Sequence, residues 1–171
     1  MNRGRIVFLG LAVVAAAWLT GCQSAAPLAP TDYQPLVARF YLETAPTEAG
    51  LTVQLPSSGV TINVAPKPVF VEYDIINAEE AQVDLGRCLL LQLTPAASRD
   101  LYRLSVANVG RRLVLSLNDK LVGARRVERA MSDGNIMVFV ELADAELPAL
   151  VDRLKRTSAE IVLAAQKKKS R

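Results

Sequence analysis

Few residues in this 171-residue chain could do covalent chemistry. There are two cysteines, Cys22 and Cys88, and there is no histidine. The lack of histidine excludes His-based catalytic triads, Cys-His dyads and the usual zinc sites. The nine glycines are scattered and form no glycine-rich phosphate loop. We therefore predict no catalytic residues, no metal and no cofactor, and we expect that the protein is not an enzyme.

An export signal is predicted over residues 1–21. Arg3 and Arg5 give a basic start, and an apolar run covers residues 6–19. This run is shorter than the roughly 20 residues that span a bilayer, and small residues follow it, as in a cleaved secretory signal peptide. An uncleaved anchor, or an ordinary signal peptide with an incidental cysteine, is the alternative.

The stretch Leu19-Thr20-Gly21-Cys22 at the end of this signal resembles the lipobox of bacterial lipoproteins. The resemblance implies that Leu19, Thr20 and Gly21 are the signal-peptide recognition residues. It also implies that the Cys22 thiol is alkylated by a diacylglycerol before cleavage makes Cys22 the new N-terminus, a reaction that needs a nucleophilic thiolate. Two or three acyl chains, each methylene worth about 0.8 kcal/mol, would hold the protein on a membrane.

The residues after Cys22 bear on location. Gln23 and Ser24 stand where an aspartate keeps enterobacterial lipoproteins at the inner membrane. The lipobox resemblance therefore implies a lipid-anchored protein of the cell envelope that faces the periplasm, with the outer membrane favoured over the inner.

The charge of the mature chain argues against a nucleic-acid partner. Loss of residues 1–21 leaves 18 basic residues against 17 acidic ones, and four of the basic residues lie in the tail 167–171. The rest of the mature chain is therefore weakly acidic. The tail could touch phospholipid head groups or acidic proteins, although a solvated helix end whose cations suit the helix dipole is the simpler interpretation.

Composition divides the mature chain into four parts. Residues 22–35, the lipidated cysteine and a stretch rich in Ala, Pro, Ser and Thr, are predicted to form a flexible tether. An N-terminal β segment follows at residues 36–68, then an α+β domain at residues 69–166 and the basic tail at 167–171. The β segment is expected to hold a strand within residues 36–44 and a hairpin with strands at 51–55 and 60–64.

The alternation of apolar and polar residues predicts the strands of the domain, and helix-capping residues predict where its first helix begins and ends. Residues 69–76 alternate like a half-buried strand, whereas residues 78–82 read as irregular. An interior strand is expected at 88–93, and Thr94-Pro95 should begin a helix that buries Ala97, Leu101, Leu104 and Ala107 and ends at Gly110. A hairpin turning at Asn118-Asp119, a central strand at 136–140 and a long helix buried along one stripe complete the domain.

The order from residue 87 is strand, helix, three strands and helix. This order predicts an α+β fold in which an antiparallel sheet carries two helices on one face, preceded by short β-strands. Cys88 lies beside an apolar run, and we expect a buried, inert thiol there. With Cys22 lipidated, no intramolecular disulfide can form.

Three stretches resemble the periplasmic head subdomain of SecD, a subunit of the protein-export translocase. They are LTP at 93–95, NVGRRL at 108–113 and LSLNDKLVGA at 115–124. The family shows a similar LTP, a helix ending in NVG and a strand-turn-strand much like LAIVLDGKVISAP. The resemblance covers roughly residues 69–161 and implies a head-like module, which in the translocase is thought to contact emerging polypeptide. The transmembrane helices and intramembrane acids of SecD have no counterpart here, so its proton-driven motor is not implied.

Three functions remain open at this point. The first is a lipid-anchored binding module for unfolded or exported polypeptide, or for an envelope complex. The second is a structural envelope lipoprotein with no client. The third is an enzyme that uses the acidic residues before the core strand, although a solvated acidic loop explains them more simply; they are Asp74, Glu79, Glu80 and Asp84. The pairs Arg111-Arg112 and Arg125-Arg126 should each offer one solvent-facing cation, and an anionic partner is a further possibility for them.

Overall fold

The computed structural model describes residues 34–45 and 47–169. Cys22 and the predicted signal and tether up to residue 33 therefore lie outside the described residues. The strands within them are β1 (Ala38–Leu42), β2 (Leu51–Gln54), β3 (Thr61–Val64), β4 (Ile75–Val83), β5 (Gly86–Leu93), β6 (Arg112–Leu117), β7 (Lys120–Arg126) and β8 (Asn135–Val138). The helices are α1 (Pro95–Ala107) and α2 (Leu147–Lys169), with short 3-10 turns at Glu72–Asp74 and Asp144–Glu146.

The predicted α+β class is confirmed, because the strands pair antiparallel and two helices pack with them. The strands form three sheets instead of one, in the orders β1-β6-β7, β2-β3 and β4-β5-β8. An isolated bridge between Gly123 and Val140 joins β7 to the segment just after β8. Residues 36–68, set apart in the sequence as a β segment, supply β1 to the same sheet as β6 and β7.

One main core unites the two three-stranded sheets with both helices. Phe40 of β1, Leu91 of β5, Leu101 of α1 and Leu115 of β6 are each fully buried in it, and α2 adds Leu154 at 3% exposure. Burial of each such side chain contributes about 1.5–3 kcal/mol. The helices thus stabilise the sheets through a shared interior.

Two local predictions about chain reversals are confirmed. The Thr94 hydroxyl accepts a hydrogen bond from the Ala97 amide at 3.2 Å and so caps α1, whose first residue is Pro95. Asn118 and Asp119 adopt φ angles of 47° and 63°, as a two-residue hairpin turn requires. The turn is fixed further because the Val37 amide donates to the Asn118 side-chain oxygen at 2.8 Å.

The prediction for residues 69–82 is wrong in two places. Residues 69–74 do not form a continuous strand; Phe70 makes a single bridge to Phe40, and a 3-10 turn follows. Residues 78–82, expected to be irregular, lie in β4 and pair with β5. β4 is rich in polar residues and so lacks the apolar pattern that predicts a strand, because its neighbour β5 supplies most of the apolar surface.

The buried stripe of α1 and the place of β8 also differ from prediction. Ser105 is buried where Ala107 was expected, and its hydroxyl accepts from the Met131 amide at 2.8 Å. The strand β8 lies at a sheet edge, not at the centre, because it pairs along its length with β5 alone. Among the described residues, no helix is long and apolar enough to cross a membrane.

Candidate binding surface

The predicted lipidation site cannot be located in the fold. Leu19, Thr20, Gly21 and Cys22 fall outside residues 34–169 and stay predictions from the sequence.

The Cys88 thiol is buried, as predicted. Its side chain is fully shielded from solvent, and the thiol donates a hydrogen bond to the Ala81 carbonyl at 3.4 Å. Burial raises the pKa of this thiol, an effect that the nearby Arg125 guanidinium offsets only in part. A protonated, inaccessible thiol is a poor nucleophile.

The four acidic residues before the core strand are not brought together into one cleft. Asp74 accepts from the Val71 amide at 2.9 Å, and Glu79 accepts from the Asn77 side chain. Glu80 forms an ion pair with Arg87 at 3.1 Å. Glu79 and Glu80 are consecutive in β4, so their side chains point to opposite faces.

The face of the β1-β6-β7 sheet that lies opposite the main core is covered. Strands β2 and β3 pack their apolar side chains onto it, with Ile62 at 2% exposure and Val114 of β6 fully buried beneath them. The hairpin is fastened at its turn, because the amides of Ser57 and Ser58 donate to the Glu141 carboxylate at 2.8 and 3.0 Å. This face therefore offers no bare sheet to a partner.

The hydrogen bonds that hold the hairpin turn also change the pKa of Glu141. Partial burial alone would raise the pKa of this carboxyl, but hydrogen bonds from the Ser58 hydroxyl and from the Ser58 and Ser57 amides outweigh it and lower the pKa. The ionised carboxylate thus stabilises the covered arrangement.

The β4-β5-β8 sheet has a more open face. Leu90 and Met137, which are paired in register, lie opposite the core side and are half-buried. Phe139 is 38% exposed, and Leu85 in the turn between β4 and β5 is 85% exposed. Exposed apolar side chains concentrated in this way often mark an interaction site.

A groove of about 400 Å³ opens at the junction of the two sheets. We call it the β7–β8 groove. Its apolar lining comes from the β4–β5 turn, β7 and the β8 segment, and its rim carries charges of both signs. The lining residues are Val83, Asp84, Leu85, Ala124, Arg125, Arg126, Glu128, Met137 and Phe139.

The groove exists because β7 and β8 diverge. Their backbones meet where the Glu141 amide donates to the Val122 carbonyl and where Gly123 bridges Val140. Farther along, Arg125 Nη1 donates to the Met137 carbonyl at 3.0 Å. A side chain therefore satisfies an acceptor that a neighbouring strand would satisfy in a closed sheet.

Arg125 is held in an unusual way. Its Nε is buried and has no hydrogen-bond partner in the described part of the chain. A buried donor without a partner costs about 1–3 kcal/mol. The prediction that this arginine pair offers an exposed cation holds for Arg126, which is exposed, whereas Arg125 is half-buried at the groove.

The other arginine pair is fully engaged with acids. Arg112 forms a two-pronged ion pair with Glu43, with contacts of 2.6 and 3.0 Å, and Arg111 reaches Glu48 at 3.3 Å. The Arg112 hydrogen bond holds the pKa of the Glu43 carboxyl below its usual value. This pair stabilises the start of β6.

The sequence pointed to only part of the β7–β8 groove. Charge singles out Asp84 and the pair Arg125-Arg126 in the sequence, but nothing there singles out Leu85 or Phe139. The available signal for Leu85 was an apolar residue between Asp84 and Gly86, in a stretch with turn composition.

The structure resembles solved structures of SecDF. One of these, a membrane component that enhances protein export, matches with a TM-score of 0.55 and 19% identity over 73% of this chain and 64% of its own. A second, SecDF in a super-membrane-facing form, matches with a TM-score of 0.56 and 17% identity over 73% of this chain and 19% of its own. No family model and no curated protein matches the sequence. The likeness shows a SecD-like fold, and the chain spans less than two thirds of either matched chain.

Proposed function

We propose that this protein is a lipid-anchored module of the cell envelope that binds exported or envelope polypeptides in an extended conformation. The β7–β8 groove carries the proposal, since it is an open, partly apolar groove between two sheets, one of which has its other face covered. The SecD-like fold adds support, because the matched SecDF enhances protein export. The protein would face the periplasm and be held, through Cys22, to the outer membrane in preference to the inner.

The groove offers the kinds of contact that an extended polypeptide segment makes when it binds. Leu85, Phe139 and Met137 supply apolar surface for side chains. The Met137 carbonyl lies on the strand edge facing Arg125, where an added strand could donate its amides. The Arg125 guanidinium could then turn to a carbonyl or carboxylate of the bound segment, which would account for its buried Nε.

Site-specific photocrosslinking tests this proposal. A photoreactive amino acid in place of Leu85 should capture envelope or exported polypeptides in intact cells. The matched control is the same amino acid in place of Leu51, which is 56% exposed on the covering hairpin. Equal capture at the two positions, or none at Leu85, would count against the groove as a binding site.

Two substitutions sharpen the test. For these variants the photoreactive amino acid is placed at Phe139. Leu85→Ser removes exposed apolar surface and should lower capture by about tenfold, while folding stays unchanged. Arg125→Met keeps the bulk of the side chain but removes the guanidinium, and it should lower capture as well. Capture that survives both changes would exclude the groove.

Lipid anchoring has its own experiment. Cells fed an alkyne-bearing palmitate should label the wild-type chain and the Cys88→Ser variant equally, whereas Cys22→Ser should carry no label. Label that persists in Cys22→Ser would refute the lipobox interpretation without touching the groove.

A structural envelope lipoprotein is the second candidate. The covered face of the β1-β6-β7 sheet favours it, because that half of the molecule presents no bare apolar sheet. If it is right, a deletion strain should show a weakened envelope with normal export, and the Leu85 probe should capture nothing.

A further inference from the structure

The last turns of α2 extend beyond the core. The helix is buried as far as Ser158, at 5% exposure, Ile161 is half-buried, and residues 162–168 are exposed. At 1.5 Å per residue, the part after Ile161 is about 12 Å long. Its first residues are apolar, with Val162 at 44% and Leu163 at 56% exposure.

Positive charge follows directly on this apolar turn. Lys167, Lys168 and Lys169 are consecutive, and Lys167 lies one turn beyond Leu163 on the same side of the helix. The remainder of the mature chain is weakly acidic, so basic charge is concentrated at this end. Exposed apolar side chains beside clustered lysines are typical of a helix that lies on an anionic membrane surface.

The exposed end of α2 is next to the place where the chain enters the domain. The Leu36 amide donates to the Thr157 hydroxyl at 2.9 Å, which ties the entering chain to α2. Pro35 and Val37 line a cavity of about 580 Å³ together with Lys168. The entry point and the lysine-bearing end of the helix therefore lie at the same end of the molecule.

The segment that precedes Gln34 limits how far this end can lie from a membrane. Residues 23–33 separate it from Cys22. A segment of this length spans at most about 40 Å, whatever its conformation. If Cys22 is lipidated, as proposed above, the end of α2 is thus held within reach of the bilayer.

The charges near the helix distinguish its two sides. Glu72 and Glu160 line the cavity on the inner side of α2 together with Lys168, so the charge there is net negative, which disfavours an anionic surface. The outer side carries Val162 and Leu163. We propose that residues 162–169 of α2 lie with this outer side against anionic phospholipid head groups and so orient the domain on its membrane. This inference rests on the proposed lipid anchor.

A fluorescent label tests the contact in the lipidated, full-length protein. An environment-sensitive dye on Leu163→Cys is specific, because Cys88 is fully buried and Cys22 would be acylated. We expect its emission to shift to the blue in vesicles of phosphatidylcholine with added phosphatidylglycerol, but not in phosphatidylcholine alone. The control dye on Leu51→Cys, which has the same 56% exposure on the covering hairpin, should not respond.

The lysines should carry the effect. Changing Lys167 and Lys169 together to Gln should lower the contact equilibrium about 25-fold, near fivefold for each lysine, and high salt should mimic the change. Equal emission in neutral and anionic vesicles would overturn the inference. So would a shift caused by added envelope polypeptide without anionic lipid. If the protein failed to float with neutral vesicles at all, the lipid anchor would be the part refuted.

Discussion

The two three-stranded sheets of this domain treat their second faces differently. The β1-β6-β7 sheet is covered by the β2–β3 hairpin, which buries Ile62 against Val114 and is fastened at Glu141. The β4-β5-β8 sheet leaves Leu90 and Met137 half-buried, with the β7–β8 groove beside them. Apolar residues of the covered sheet should therefore govern stability, whereas those of the groove should govern binding.

The largest expected effect is on the covered side. Ile62→Ala removes a side chain at 2% exposure and should lower the free energy of unfolding by about 2–4 kcal/mol, because a cavity is left under the hairpin. Urea denaturation measures the change. Leu85→Ala, at 85% exposure in the groove, is the control and should stay within about 0.5 kcal/mol. If both variants lost a similar amount of unfolding free energy, the two faces would not differ in their contribution to stability.

The next effect concerns the junction of the sheets. A Cβ at Gly123 would collide with the Phe139 carbonyl oxygen and crowd the Val140 Cα. Gly123→Ala should therefore separate β7 from β8 and cost about 2 kcal/mol. Hydrogen exchange at the Glu141 amide should become faster. Lys120→Ala, at an exposed position of β7, should leave that exchange unchanged.

A smaller effect should follow from unfastening the hairpin. Glu141→Gln weakens the bonds from Ser57 and Ser58 and should cost about 1 kcal/mol at neutral pH. The folded pKa of Glu141 lies below the unfolded value, so the contribution is present above about pH 4.3 and is lost as the pH falls through the lower folded pKa. Wild type and variant should therefore converge in stability in acid. A difference that persisted there would contradict this account.

The smallest effect belongs to the β6–β7 turn. Asp119 adopts a φ of 63°, which glycine takes at no steric cost, but it also forms an exposed ion pair with Arg39 at 3.3 Å. Because exposed pairs contribute little, Asp119→Gly should stabilise the domain by about 0.5 kcal/mol. Thermal unfolding checks it. A destabilised variant would show that the Arg39 contact matters more than the backbone.

Much of the fold could be predicted where a local cause acts alone. Thr94 and Pro95 begin a helix through capping, and Asn118 with Asp119 reverses the chain through positive φ, whatever surrounds them. The predictions that are wrong concern residues whose structure depends on contacts with distant parts of the chain. Residues 78–82 are polar enough to look irregular, yet β5 holds them as a strand, and Ser105 replaces Ala107 in the core because a loop amide needs its hydroxyl.

The candidate binding surface shows the same contrast between features that have a local cause and features that depend on tertiary contacts. From its residues alone, the chain excludes histidine chemistry, predicts the lipidation of Cys22 and gives the order of elements after residue 87, because these depend on residue type and on neighbours in sequence. The covering of one sheet face, the divergence of β7 and β8, and the groove shared by Arg125 and Leu85 become visible only in the folded chain. Those facts depend on contacts between residues far apart in the chain, which no local pattern of side chains encodes.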